Sequence, residues 1–571
     1  MKKYFLKERA MPHPNYFCTW HLMYWFPDNG GVPNLQTRDV LCDDLLFGEN
    51  GIAVKHYPEV RKDLYLLLDD GWDVRSSQES TLPEDTWFKP YIGSCQLSEE
   101  KFPGYGNTPP ERLKTLAEKV KALGWKGLGI WISPTVSYSA DVEGNGNSFA
   151  AFFRKRMEWS KFAGVDYWKV DWGDYDMSDK HRKLLSALKE EIYPELIMEH
   201  AYNRKAYHPK GAESRFGLAI HRHRLAYSDV LRLYDVAFAL SIPTTLSRVA
   251  ALLKYPVKIK PGCMGLINAE DEVYLSAALG LAFGVMRFDI GDAAINSGPN
   301  WAFGGEGDFP ATRPARRQHD EVLRAVRWQA DFAPAFKADL GESHVSQELG
   351  EDRWKFTPNE TWEKALHQGE EAFMQSAPLV VARNVNAPNI LACDHSPPYL
   401  IACRNPNGSL SIATLGRVSP TRGYFSPKAD VSWHAGANSG VIGVFGYFKS
   451  LRLNFDDDLA GKKVLAKDLL QDDWVDITSH AKITGNAIVF DGDLIETLCR
   501  NRQGDFSEPG LVIQIGESKD FVQVKTPLAK PKRPAFNWLY IAQLNIAGRF
   551  KAFAVRRHSA RKQKKHTGYI Q

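Results

Sequence analysis

Seven cysteines are spread over 571 residues, an odd number with no C-x-x-C pair and no cysteine–histidine spacing. The sequence therefore offers neither a disulfide framework nor a zinc site. Long apolar runs are missing as well. No stretch reaches the roughly 18 residues of a membrane-spanning helix, and the opening MKKYFLKERAMPHPNYFCTW lacks the apolar segment of about 7–15 residues that marks a secretory signal. As written the chain is expected in the cytoplasm; an incomplete N-terminus would allow export. Also absent are a glycine-rich phosphate loop, G-x-S-x-G, H-E-x-x-H and a GxGxxG followed by an acid. Those absences remove the commonest phosphate, acyl-transfer, zinc and dinucleotide chemistries.

What is present is aromatic and unevenly charged. Aromatic residues make up 12% of the chain, with 16 Trp, several beside acidic residues, a composition suited to stacking on the apolar faces of sugar rings. The net charge of +4 is concentrated at one end: residues 525–571 hold twelve Lys and Arg and no acid, and the remainder carries 60 basic against 68 acidic groups. Such a tail could contact nucleic acid or an anionic surface, but no binding motif accompanies it, and it is read as a basic extension without fixed structure. No nucleic-acid partner and no membrane span are expected, and the oligomeric state is open.

Three regions follow from patterning. Over residues 1–338, short apolar segments alternate with helical ones. DLYLLLDDGWD (63–73), GLGIWISP (127–134), GVDYWKVDWGDYD (164–176), ELIMEHAYNR (195–204), SDVLRLYDVA (228–237), KPGCMGLINAED (260–271) and GVMRFDIGD (284–292) read as strands, with NYFCTWHLM (15–23) before them. The intervening helices include TPPERLKTLAEKVKALG (108–124), with Thr108 as N-cap and Gly124 as terminator. Eight alternating units predict a parallel (β/α)8 TIM barrel. Residues 339–520 switch to short alternating segments bounded by Gly, Asn and Pro, which predicts an antiparallel β-sandwich. Residues 521–571 form the tail.

In a strand, positions i and i+2 share a face, so Lys169 and Asp171 lie side by side at the end of their strand. Asp69, Asp70, Glu199, Arg232 and Asp235 fall at other strand ends, and closing a barrel gathers such residues around one pocket. Paired carboxylates are what glycoside cleavage requires, one to attack or activate water and one to protonate the leaving oxygen. His200, and His221 and His223 in AIHRHRLAYSD (219–229), are read as loop or pocket residues rather than ligands, and no metal or other cofactor is expected.

LLLDDGWD, GLGIWISP, YWKVDWGD and GLINAEDEVYLSAALGLAFGVMR, in that order over residues 15–335, resemble the barrel-strand motifs of retaining α-galactosidases of glycoside hydrolase families 27 and 36, the melibiase clan. The resemblance implies Asp171 as nucleophile, Lys169 beside it, and Asp235 as acid/base with Asp229 as rival. It also implies Asp69 and Asp70 on the O4 and O6 hydroxyls of galactose, Arg232 on O2, and Trp20, Trp72 and Trp172 as aromatic contacts. Glu199 and Tyr202 stand where the families carry a different clamp for the 2-hydroxyl, and are expected to take that role as substrate-binding residues. Removal of terminal α-D-galactosyl residues is therefore the expected activity. An α-N-acetylgalactosaminidase, a β-L-arabinopyranosidase, an α-galactosyl transglycosylase and a catalytically idle carbohydrate-binding protein are the alternatives.

Overall fold

The computed structural model describes residues 11–20, 41–73, 94–136, 149–202, 215–233, 241–286, 315–355, 372–419, 421–438, 440–499 and 507–517. Eight short strands form one parallel sheet: β1 (Tyr16–Cys18), β2 (Tyr65–Leu68), β3 (Gly127–Ile132), β4 (Tyr167–Val170), β5 (Ile197–Tyr202), β6 (Val230–Leu233), β7 (Leu266–Asn268) and β8 (Gly284–Val285). β1 pairs with both β2 and β8. A parallel bridge from Asn268 to Ala282, just before β8, closes the circle against β7. The expected TIM barrel is thus present, and β2, β3, β4 and β6 are buried at every position, as strands covered on both faces must be.

Among the described residues, two short helices (Asp43–Phe47 and Ile52–Lys55) lie between β1 and β2, and the longer helices flanking the strands are α1 (Pro109–Ala122), α2 (Phe149–Ala163), α3 (Asp179–Ile192), α4 (Arg215–Leu225), α5 (Ser241–Lys254), α6 (Val273–Leu279) and α7 (Ala315–Asp331). α1 begins where the sequence indicates, at a capping box of Thr108 and Glu111 with Pro at the first turn. α4 departs from expectation: His221 and His223 belong to a helix rather than a loop, and His221 is fully buried.

The second region contains sheets of eight and five strands, the larger running from Val475–Asp476 to Ser343–Val345. Leu400, Ile412, Trp433, Val444, Leu453, Ile488 and Ile513 belong to one core cluster. The sandwich is not antiparallel throughout. Val380–Arg383 pairs in parallel with Tyr399–Arg404, Leu410–Leu415 with Val441–Phe445, and Ala429–Gly436 with Ser450–Phe455. Crossing connections put sequentially distant strands side by side, which a reading by hairpins does not anticipate. The barrel rests on the larger sheet through α6 and α7, where Tyr274 and Trp328 meet Phe445. Among the described residues, no helix is long and apolar enough to cross a membrane. The tail expected at 521–571 lies outside the described residues.

Candidate active site

The period of two along each barrel strand aims one set of side chains at the axis. Tyr16 and Cys18 come from β1, Tyr167 and Lys169 from β4, Glu199 from β5, Arg232 from β6 and Asn268 from β7. Asp69 and Asp171 follow immediately after β2 and β4, where active-site groups of such barrels lie. The turn after β2 is made possible by Gly71, whose φ of 111° suits glycine.

Lys169 is 1% exposed and bridges two carboxylates, with Nζ 2.5 Å from Asp69 Oδ2 and 3.6 Å from Asp171 Oδ2. Burial lowers its affinity for a proton more than any single neighbour raises it, yet Asp69, Cys18 and Asp171 together outweigh burial and Arg232 and raise the ammonium above its ordinary value. Cys18 Sγ donates to Asp69 Oδ2 at 2.9 Å, and the backbone N–H of Asp70 donates to Asp69 Oδ1 at 2.8 Å.

Asp171 is held from one side. Its Oδ2 accepts the indole N–H of Trp131 at 3.3 Å and a guanidinium N–H of Arg232 at 3.2 Å. Oδ1 is buried and has no hydrogen-bond partner among the described residues. Burial pushes the carboxyl up, but Arg232, Lys169 and Arg182, with the Trp131 hydrogen bond, together bring it below the usual carboxylate value. Asp171 is therefore an ionised carboxylate with one oxygen tied and the other unengaged.

Arg232 also faces Glu270 Oε1 at 3.4 Å and Glu199 Oε1 at 3.9 Å. Glu199 stands beside Lys169 in the register of β4 and β5, fully buried, with its carboxylate taken up by protein donors. It accepts from Tyr16 and Tyr167, the first residues of β1 and β4, at 3.1 and 2.8 Å, and from Asn268 at 2.7 Å. Burial raises its carboxyl above the ordinary value. It is a buried acidic neighbour of Arg232.

The expected residues thus divide. Asp69, Lys169, Asp171 and Arg232 converge, with the buried Asp70 next in the chain. Trp20 follows β1, partly buried against the inner cluster of Tyr16, Cys18 and Tyr65. Trp172 stands 5.5 Å from Trp131, ring to ring. Trp72 is fully buried and gives its N–H to the Trp131 carbonyl at 2.8 Å. Asp229 is a correction. It precedes β6, at the opposite end of the barrel from Asp171, pairs with Lys189 at 3.1 Å and accepts the backbone N–H groups of Met198 and Met264. Asp235 and the side chain of Tyr202 lie outside the described residues.

Cys18, Glu270 and Met286, whose Sδ lies 3.6 Å from Lys169 Nζ, were not expected at the site. Cys18 shares its parity with Tyr16 and Trp20, so period-two reading of β1 would have found it.

Fold and site together define a (β/α)8-barrel protein with an ionised carboxylate, a bridging lysine and a buried arginine at the C-terminal mouth. No protein-family model matches the sequence, and no curated protein matches it. Similar solved structures include a family 27 β-L-arabinopyranosidase variant from Geobacillus stearothermophilus in complex with arabinose: 9% identical, covering 89% of this chain and 98% of that one, TM-score 0.35. Another is an α-galactosidase from Saccharomyces cerevisiae with raffinose: 9% identical, covering 90% of this chain and 100% of that one, TM-score 0.33. At these scores the likeness establishes neither fold nor function; the barrel rests on its own strand pairing.

Proposed function

We propose that the protein is a retaining glycoside hydrolase that removes terminal α-D-galactosyl residues by double displacement. The observation that carries this reading is Asp171, ionised by Arg232 and Lys169 on the Oδ2 side and offering an unengaged Oδ1. In the first step Oδ1 attacks the anomeric carbon, the glycosidic C–O bond breaks, and the leaving oxygen takes a proton from an acid that we assign to Asp235. In the second step water, deprotonated by the same group, cleaves the glycosyl ester and frees Asp171. Asp69 and Lys169, joined at 2.5 Å, supply an acceptor and a donor for sugar hydroxyls. The choice of galactose rests on the sequence resemblance alone.

Hydrolysis of p-nitrophenyl α-D-galactopyranoside by the wild type, Asp171→Ala and Asp235→Ala tests the proposal. Turnover should fall at least about 1,000-fold in Asp171→Ala, with azide restoring release of nitrophenol and forming the β-galactosyl azide. No turnover by the wild type on this or on 2-acetamido and arabinosyl analogues, alongside measurable sugar binding, would instead make the protein a carbohydrate binder.

A further inference from the structure

We infer that Arg182 is a positioning residue for Asp171, its guanidinium fixing the strand-end backbone that carries the carboxylate. Arg182 lies on α3, eleven residues after Asp171, and is 1% exposed. Its Nε donates to the Asp176 carbonyl at 2.7 Å, Nη1 to the Val170 carbonyl at 3.0 Å, and Nη2 to the Asp171 carbonyl at 2.7 Å. One planar fork thus spans both sides of the turn from β4 into α3. Nη1 also faces His200 Nδ1 at 3.3 Å. Because arginine can only donate, His200 accepts through Nδ1 and is protonated at Nε2, which meets Ser186 Oγ at 3.0 Å. Burial and the neighbouring Arg182 and Arg224 hold that imidazole neutral.

Among the described residues, no carboxylate pairs with Arg182. A buried cation bonded only to carbonyls and a neutral ring is expensive, and an apolar side chain would pack α3 on the barrel at lower cost. What the guanidinium adds is a rigid hold on the chain around Asp171 and positive charge behind it. The other titratable groups acting on Asp171 are Arg232 from β6 and Lys169 from β4; those acting on Arg182 are Arg224, the neutral Tyr227, Asp171 and Asp176.

The inference rests on Asp171 being the nucleophile. Its test is the pH dependence of kcat and kcat/KM on the aryl galactoside for wild type, Arg182→Lys and Arg182→Met. Arg182→Lys keeps charge and loses the fork, so kcat should fall about 10-fold with the acid limb of kcat/KM unmoved. Arg182→Met should lose about 100-fold and shift the acid limb to higher pH. A folded Arg182→Met with kcat within about twofold of wild type and an unmoved acid limb overturns the inference. If that variant does not fold, Arg182→Lys with kcat within about twofold overturns it instead. Azide rescue of Asp171→Ala separates the two levels: rescue beside an unaffected Arg182 variant overturns the inference alone, and absence of rescue overturns the reading beneath it as well.

Discussion

Asp171 presents two chemically different oxygens within one carboxylate. Oδ2 faces an indole N–H and two cations, whereas Oδ1 faces none of the described donors. Lys169 is the shared element, because it also neutralises Asp69. Replacing it by methionine should leave two buried carboxylates without their common cation. Lys169→Met is expected to destabilise the protein by about 3–5 kcal/mol, measured by urea unfolding at neutral pH, and to move the acid limb of kcat/KM upward. The sign follows from the direction of the Asp171 shift. A carboxyl whose folded value lies below its ordinary 3.8 contributes stability above that pH and loses it as pH falls through the folded value. The wild type should accordingly keep its nucleophile ionised, and its acid limb low, below the range of an ordinary aspartate. An acid limb above the ordinary 3.8 in the wild type would contradict this account of the site.

At the level of elements, the end of β4 is where chain geometry meets chemistry. An added Cβ at Gly173 would lie 2.3 Å from Ser133 Oγ and 2.6 Å from Thr135 Oγ1. Thr135 Oγ1 in turn accepts the Asp174 backbone N–H at 2.9 Å. Gly173→Ala should therefore push the β4 turn away from the end of β3 and carry Asp171 with it. Steady-state kinetics are expected to give a fall in kcat of about 10- to 100-fold; a value within twofold would mean the turn tolerates the shift. Period-two patterning made the pairing of Lys169 with Asp171 legible, and the helix signals around Thr108 located α1. Other features were not legible. α4 carries histidines and arginines in HRHR, a composition that reads as surface while His221 in fact turns inward. Asp229 is close to β6 in sequence, and only the strand's start at Val230 shows that it belongs to the opposite end of the barrel from Asp171. Arg182 reaches the β4 turn from a helix through a bond that no local pattern encodes.

Across the whole molecule, barrel and sandwich are joined by a buried ion pair. Arg324 of α7 grips Asp468 at 2.7 and 2.9 Å and the Glu508 carbonyl at 2.9 Å, all in the second region. Arg324→Met should cost about 3–5 kcal/mol by leaving Asp468 buried and unpaired, and Asp468→Asn in the same chain should recover part of it. Denaturant unfolding of the single and double variants checks both. The central claim, that Asp171 accepts the sugar, has a direct measurement in the intact protein: incubation with an activated, fluorinated α-galactosyl donor that forms the ester but hydrolyses slowly, followed by mass spectrometry. The account predicts that the chain gains the mass of one fluorosugar and that, after digestion, the label sits on the peptide containing Asp171. Label on any other carboxylate, or turnover without a covalent intermediate, would contradict it.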